Sequence, residues 1–72
     1  MKAMIDKEEK TNGMIFHAGV LTDDNNIDFD FTLVEMYDKN SDSSSFEITF
    51  CDTEPSDIKS AEKVIMIEFN KI

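Results

Sequence analysis

The sequence predicts a small α+β domain: an antiparallel sheet of three to four strands with one or two short helices. Two stretches alternate cleanly. Ile27, Phe29, Phe31 and Leu33 are separated by Asp28, Asp30 and Thr32, and Phe46, Ile48 and Phe50 by Glu47, Thr49 and Cys51. Alternation with period two marks strands with one apolar and one wet face. Polar clusters at 22–26 and 38–45 punctuate them as turns, since Asp, Asn and Ser side chains bond their own backbone there.

Taken in order, residues 2–10 are expected to be a short helix. Met1, Met4 and Ile5 fall on one helical face, with Asp6, Lys7, Glu8, Glu9 and Lys10 mostly on the other. Thr11-Asn12-Gly13 would end it, Gly supplying a left-handed C-terminal conformation. Residues 14–21 read as a strand whose even positions, Met14, Phe16, Ala18 and Val20, are all apolar. Residues 27–37 are the clearest strand. Their parity slips at Leu33-Val34, because continuing it would turn Glu35 inward, and a bulge or a strand end there would relieve this. Residues 46–51 form a third strand. Leu33 lies opposite either Phe50 or Ile48, both of which keep inward residues facing inward.

Residues 52–72 are harder to divide. Glu54-Pro55-Ser56-Asp57 suits a helix start. Ile58, Ala61, Ile65, Phe69 and Ile72 have the spacing of one amphipathic helix. Val64-Ile65-Met66-Ile67 is instead a dense apolar run rich in β-branched residues, which favour strands. The expectation is a short helix over 56–62 and a last strand over 63–70.

Length and charge bound the function. At 72 residues one domain, 1–72, is the sensible count. A domain this small buries only about 60% of its unfolded surface. It has little room for a pocket of the roughly 300 Å³ a small ligand needs. The chain carries 7 Lys and Arg against 16 Asp and Glu, a net charge of −9. Nucleic-acid binding rests on cations meeting phosphates, so direct binding to DNA or RNA is disfavoured, as is an anionic membrane surface. No apolar run is long enough to cross a bilayer. The single Cys51 leaves no internal disulfide, and the N-terminus turns acidic at Asp6, too early for a signal peptide. A cytoplasmic protein is expected, with no cofactor.

The acids are the main candidate site. Asp28 and Asp30 point outward from the strand over 27–37, Glu47 from that over 46–51, and Glu68 from that over 63–70, while Asp23 and Asp24 sit at a hairpin end. Like charges this close repel by about 1 kcal/mol or less per exposed pair, so folding alone does not favour the arrangement. One reading is a surface that imitates nucleic-acid charge and occludes a basic groove on a nucleic-acid-processing protein. The bland reading is a solvated face.

In size and charge the chain is similar to small phage-encoded inhibitors of host defence, anti-restriction and anti-CRISPR proteins among them. That likeness implies a non-enzymatic acidic inhibitor. The alternative is an interaction module that homodimerises, or joins a larger assembly, through the apolar sheet face of Phe16, Phe29, Phe31, Ile48 and Phe50. A third, weaker candidate is calcium. Asp38, Asn40 and Asp42 match the first half of an EF-hand loop, but Ser43 stands where Gly is needed and Thr49 where the bidentate Glu belongs. His17 and Cys51 have the chemistry of a nucleophile–base pair. The chain offers no nucleophile-elbow sequence, however, and a small apolar role suits Cys51 better.

Overall fold

The computed structural model describes residues 1–71. Four antiparallel strands, β1 (Lys2–Thr11), β2 (Met14–Thr22), β3 (Asp28–Asp38) and β4 (Ser43–Phe50), lie side by side in chain order, followed by one helix, α1 (Ile58–Phe69). Among the described residues the fold is α+β with a single helix. Ile72, which continues the helical spacing in the sequence, lies outside the described residues.

Two expectations are corrected. Residues 2–10 are a strand, not a helix. Thr11 pairs with Met14 across Asn12 and Gly13, both at positive φ (48° and 81°). This is a two-residue turn whose twist matches that of the flanking strands, so Asn12-Gly13 opens a hairpin where the sequence suggested a helix end. Pairing with β2 supplies β1 with its backbone hydrogen bonds, which ten residues of isolated helix would satisfy only marginally. Ala3 and Ile5 pack against the core.

The second correction concerns residues 63–70, which continue α1 as helix. Asp57 caps the helix: its Oδ1 accepts the Ser60 N–H at 3.1 Å and its Oδ2 the Ser60 hydroxyl at 2.8 Å. Ala61 and Ile65, four apart, are both fully buried. That packing overrides the strand preference of Val64, Ile65 and Ile67. The fourth strand is therefore β1, at the other end of the chain.

The three strands read from alternation are present, with Leu33 opposite Ile48 and Phe31 opposite Phe50. The β2–β3 turn is built on Asp23, whose Oδ1 accepts the N–H groups of Asn25 and Ile27 at 2.9 Å each. The core lies between one sheet face and α1: Leu21, Phe29, Phe31 and Leu33 from the sheet, Ala61 and Ile65 from the helix. Each large side chain buried there contributes about 1.5–3 kcal/mol. α1 packs principally against β1.

Gly19 is a close-approach position. A Cβ there would fall on the Met4 carbonyl oxygen and within 2.6 Å of Phe31 Cζ. Just beyond Met4, β1 carries a bulge between Ile5 and Lys7. The bulge shifts the parity of β1, so that its charged second half resumes pairing with β2 in a new register.

Candidate protein-binding face

The register fixes what each sheet face presents. Side chains of directly paired residues share a face. On the side away from α1, the rows across the sheet run Lys2–Thr22–Asp28, Met4–Val20–Asp30, Lys7–Ala18–Thr32–Thr49, Glu9–Phe16–Val34–Glu47 and Thr11–Met14–Met36–Ser45. The two central strands thus lay down an apolar strip of Met14, Phe16, Ala18, Val20, Val34 and Met36, all half-buried. Met4 beside it is 64% exposed. Asp28, Asp30, Glu9 and Glu47 border the strip, with Lys2 and Lys7 along the β1 side. A shallow groove of about 410 Å³ runs past Lys7, Glu9, Phe16, Ala18 and Thr32.

The six acids singled out in the sequence divide into three groups. Asp28, Asp30 and Glu47 share the open face, although Glu47 stands two rows from Asp30. Asp28 accepts the Thr22 hydroxyl at 2.8 Å. Asp23 and Asp24 occupy the β2–β3 turn. Asp23 is engaged with the turn backbone, and Asp24 Oδ1 lies 2.6 Å from the Met1 ammonium. Glu68 belongs to α1 rather than to a strand, with Lys71 Nζ 3.7 Å away. Glu68 nonetheless reaches the β1 edge of the open face, where it lines a pocket of about 520 Å³ with Lys2, Met4, Val20, Thr22 and Asp28.

The apolar face named in the sequence is also split. Phe29 and Phe31 are buried beneath α1, and Ile48 and Phe50 are partly buried beside them. Phe16 points the other way. The signal that separates them is Gly19: with Phe31 lying across it, the odd positions of β2 must face the helix and the even, apolar ones the open side.

Glu35 produces the parity slip noted in the sequence, and the strand runs through it without a bulge, in unbroken pairing with β2 and β4. It turns toward the helix side, with Oε1 3.6 Å from His17 Nε2. His17 is buried, at 6% exposure, and its Nε2 has no hydrogen-bond partner among the described residues. Phe69 packs edge-on against its ring at 4.9 Å and against Phe46 at 5.5 Å. Cys51 is exposed beyond the end of β4, donating its N–H to the Asp30 carbonyl at 2.9 Å. Its parity is that of the open face. His17 and Cys51 therefore lie on opposite faces and do not meet.

In the β3–β4 turn, Asp38 Oδ1 accepts the Asn40 N–H at 2.9 Å. Asp42, at φ 50°, accepts the Tyr37 hydroxyl, which pushes the phenol pKa up. These contacts build the turn from the three residues with EF-hand spacing. Among the described residues no group of three or more His, Cys, Asp and Glu side chains suits a metal ion, and no helix is long and apolar enough to cross a membrane. In comparisons with known proteins, no family model, no curated protein and no solved structure matches this chain.

Proposed function

We propose that this protein is a non-enzymatic binding module that docks its open sheet face on a basic surface of another protein. By doing so it acts as an inhibitor, occupying a path that a nucleic acid would take. The observation that carries the reading is the one-sided cover of the sheet. α1 closes one face, and the other presents Phe16, Val20, Val34 and their neighbours inside a border that includes Asp28, Asp30 and Glu47. An apolar centre with a charged rim is the common anatomy of a protein interface. The net charge of −9 favours a cationic partner and speeds encounter with it.

The apolar strip refines the expectation of pure charge imitation. The acids steer and select, while Phe16 and its neighbours hold. Binding then depends on salt mainly in its association rate. The competing reading, self-association through an apolar sheet face, moves from Phe29 and Phe31, which α1 covers, to Phe16 on the open side.

The test is affinity capture from a bacterial lysate with a salt gradient, followed by competition of the captured protein with DNA or RNA. A single nucleic-acid-processing protein that releases its nucleic acid when this chain binds supports the proposal. Capture that is indifferent to charge reversal at Asp28 and Asp30 overturns it.

A further inference from the structure

The two edges of the sheet are protected very differently. β1 carries Lys2, Asp6, Lys7, Glu8, Glu9 and Lys10, and it is bulged between Ile5 and Lys7. Charges, above all lysines, and bulges are the usual devices that stop an edge strand from pairing further. Helix α1 also packs principally on this side. β4, the other edge, is Ser-Ser-Ser-Phe-Glu-Ile-Thr-Phe, with one charged residue, no proline and an unbroken register against β3. Nothing guards it.

The orientation of its free backbone groups follows from the ladder. Cys51 donates its N–H to the Asp30 carbonyl, so the odd residues of β4 turn their N–H and C=O groups toward β3. The even ones, Ser44, Phe46, Ile48 and Phe50, turn theirs outward. These residues also place their side chains on the helix side, where α1 covers them only in part. Phe46 is 43% exposed, and Ile48 and Phe50 are only half-buried.

We infer that β4 pairs with β4 of a second copy of this chain, antiparallel about a two-fold axis, to give one continuous eight-stranded sheet. The strand is complementary to itself. With the axis at Ile48, outward-facing groups meet outward-facing groups. Phe46 lies opposite Phe50 of the second copy, and Glu47 lies opposite Thr49 rather than opposite its own equivalent. Both half-exposed phenylalanines gain an apolar neighbour, and the two open faces come to lie side by side. The pairing is isologous and closed, so it stops at two copies. It uses the sheet edge, which meets the partner face proposed above only along Glu47 and Thr49, and it does not depend on that reading.

The test is the mass of the whole chain in solution, by sedimentation or light scattering, over a concentration series reaching the millimolar range and at low and high salt. Two copies of an acidic chain repel. Salt should therefore strengthen this dimer, the reverse of its effect on encounter with a basic partner. Thr49 is exposed and outside the core, which makes it a safe place for a charge. Thr49→Glu sets a like charge against Glu47 of the other copy twice over, by symmetry, and should weaken the dimer roughly tenfold. Thr49→Lys should tighten it several-fold. A doubled mass that responds in these two directions supports the inference. A monomer throughout the series overturns it, and so does a dimer that ignores both Thr49 substitutions but is lost with Phe16→Asp, which would place the interface on the open face.

Discussion

The ring of Phe31 lies across the backbone of Gly19, close enough that no side chain fits between them. This contact lets the most buried aromatic of β3 come close against β2, and it shares the space with the Met4 carbonyl from β1. Gly19→Ala must push three strands apart at once. We expect a loss of about 2–3 kcal/mol, read as a fall in Tm of roughly 10 °C or more. An unchanged Tm would mean that the ring is free to move aside.

His17 fills space under Phe69 while its Nε2 goes without a hydrogen bond. An unpaired buried polar atom costs stability that an apolar side chain of similar size would not. His17→Leu is therefore expected to leave Tm unchanged or raise it. His17→Ala, which opens a cavity beneath the helix, should cost roughly 2–4 kcal/mol. Thermal melts of the two variants check this, and a strongly destabilised His17→Leu would show that the imidazole makes an interaction packing does not account for.

The helix cap adds a pH term of defined sign. The Ser60 hydroxyl, then the Ser60 N–H, hold the Asp57 carboxyl below its usual value of 3.8, with Lys59 assisting. A carboxylate whose pKa is lower in the folded state contributes stability at neutral pH, which is lost as pH falls through that lowered value. Asp57→Asn keeps a capping side chain without the ionisation, so the difference in Tm between the two proteins should shrink in strong acid. Asp57→Ala removes the cap altogether and should lower the neutral Tm by roughly 5 °C.

Charge reversal separates the two sides of the molecule. Asp28→Lys with Asp30→Lys alters the open face and should abolish capture of a basic partner while leaving the melting transition cooperative. Glu62→Lys makes the same kind of change on the helix and should leave capture intact. Equal losses in both variants would mean that net charge alone, not the sheet face, drives binding.

Much of the sheet was legible in the sequence because β3 and β4 alternate without ambiguity and polar clusters mark their turns. β1 was not. Met1, Met4 and Ile5 fit a helical face as well as Ala3 and Ile5 fit a strand face, and only the pairing with β2 decides between them. Residues 63–70 misled for the opposite reason, since local β-branched content was outweighed by the burial of Ala61 and Ile65. At the candidate site, the outward placement of Asp28, Asp30 and Glu47 was readable from parity. The apolar strip beside them was not, because the face to which Phe16 belongs depends on how Gly19 meets Phe31. Glu35 looked like an error in the pattern and is instead an inward carboxylate next to His17.

The order of elements along the chain also shapes how the protein is made. The four strands form successive hairpins, each closing on its neighbour by local contacts, which is a fast kind of assembly. The helix that covers Leu21, Phe29, Phe31 and Leu33 is synthesised only after all four strands, and it must then return to β1, the first of them. Until that happens the nascent sheet is bare on both sides and open along β4. A chain truncated before residue 58 would leave a sticky, edge-exposed sheet. The net charge of −9, carried in part by the turns, sets neighbouring copies of such a sheet against one another.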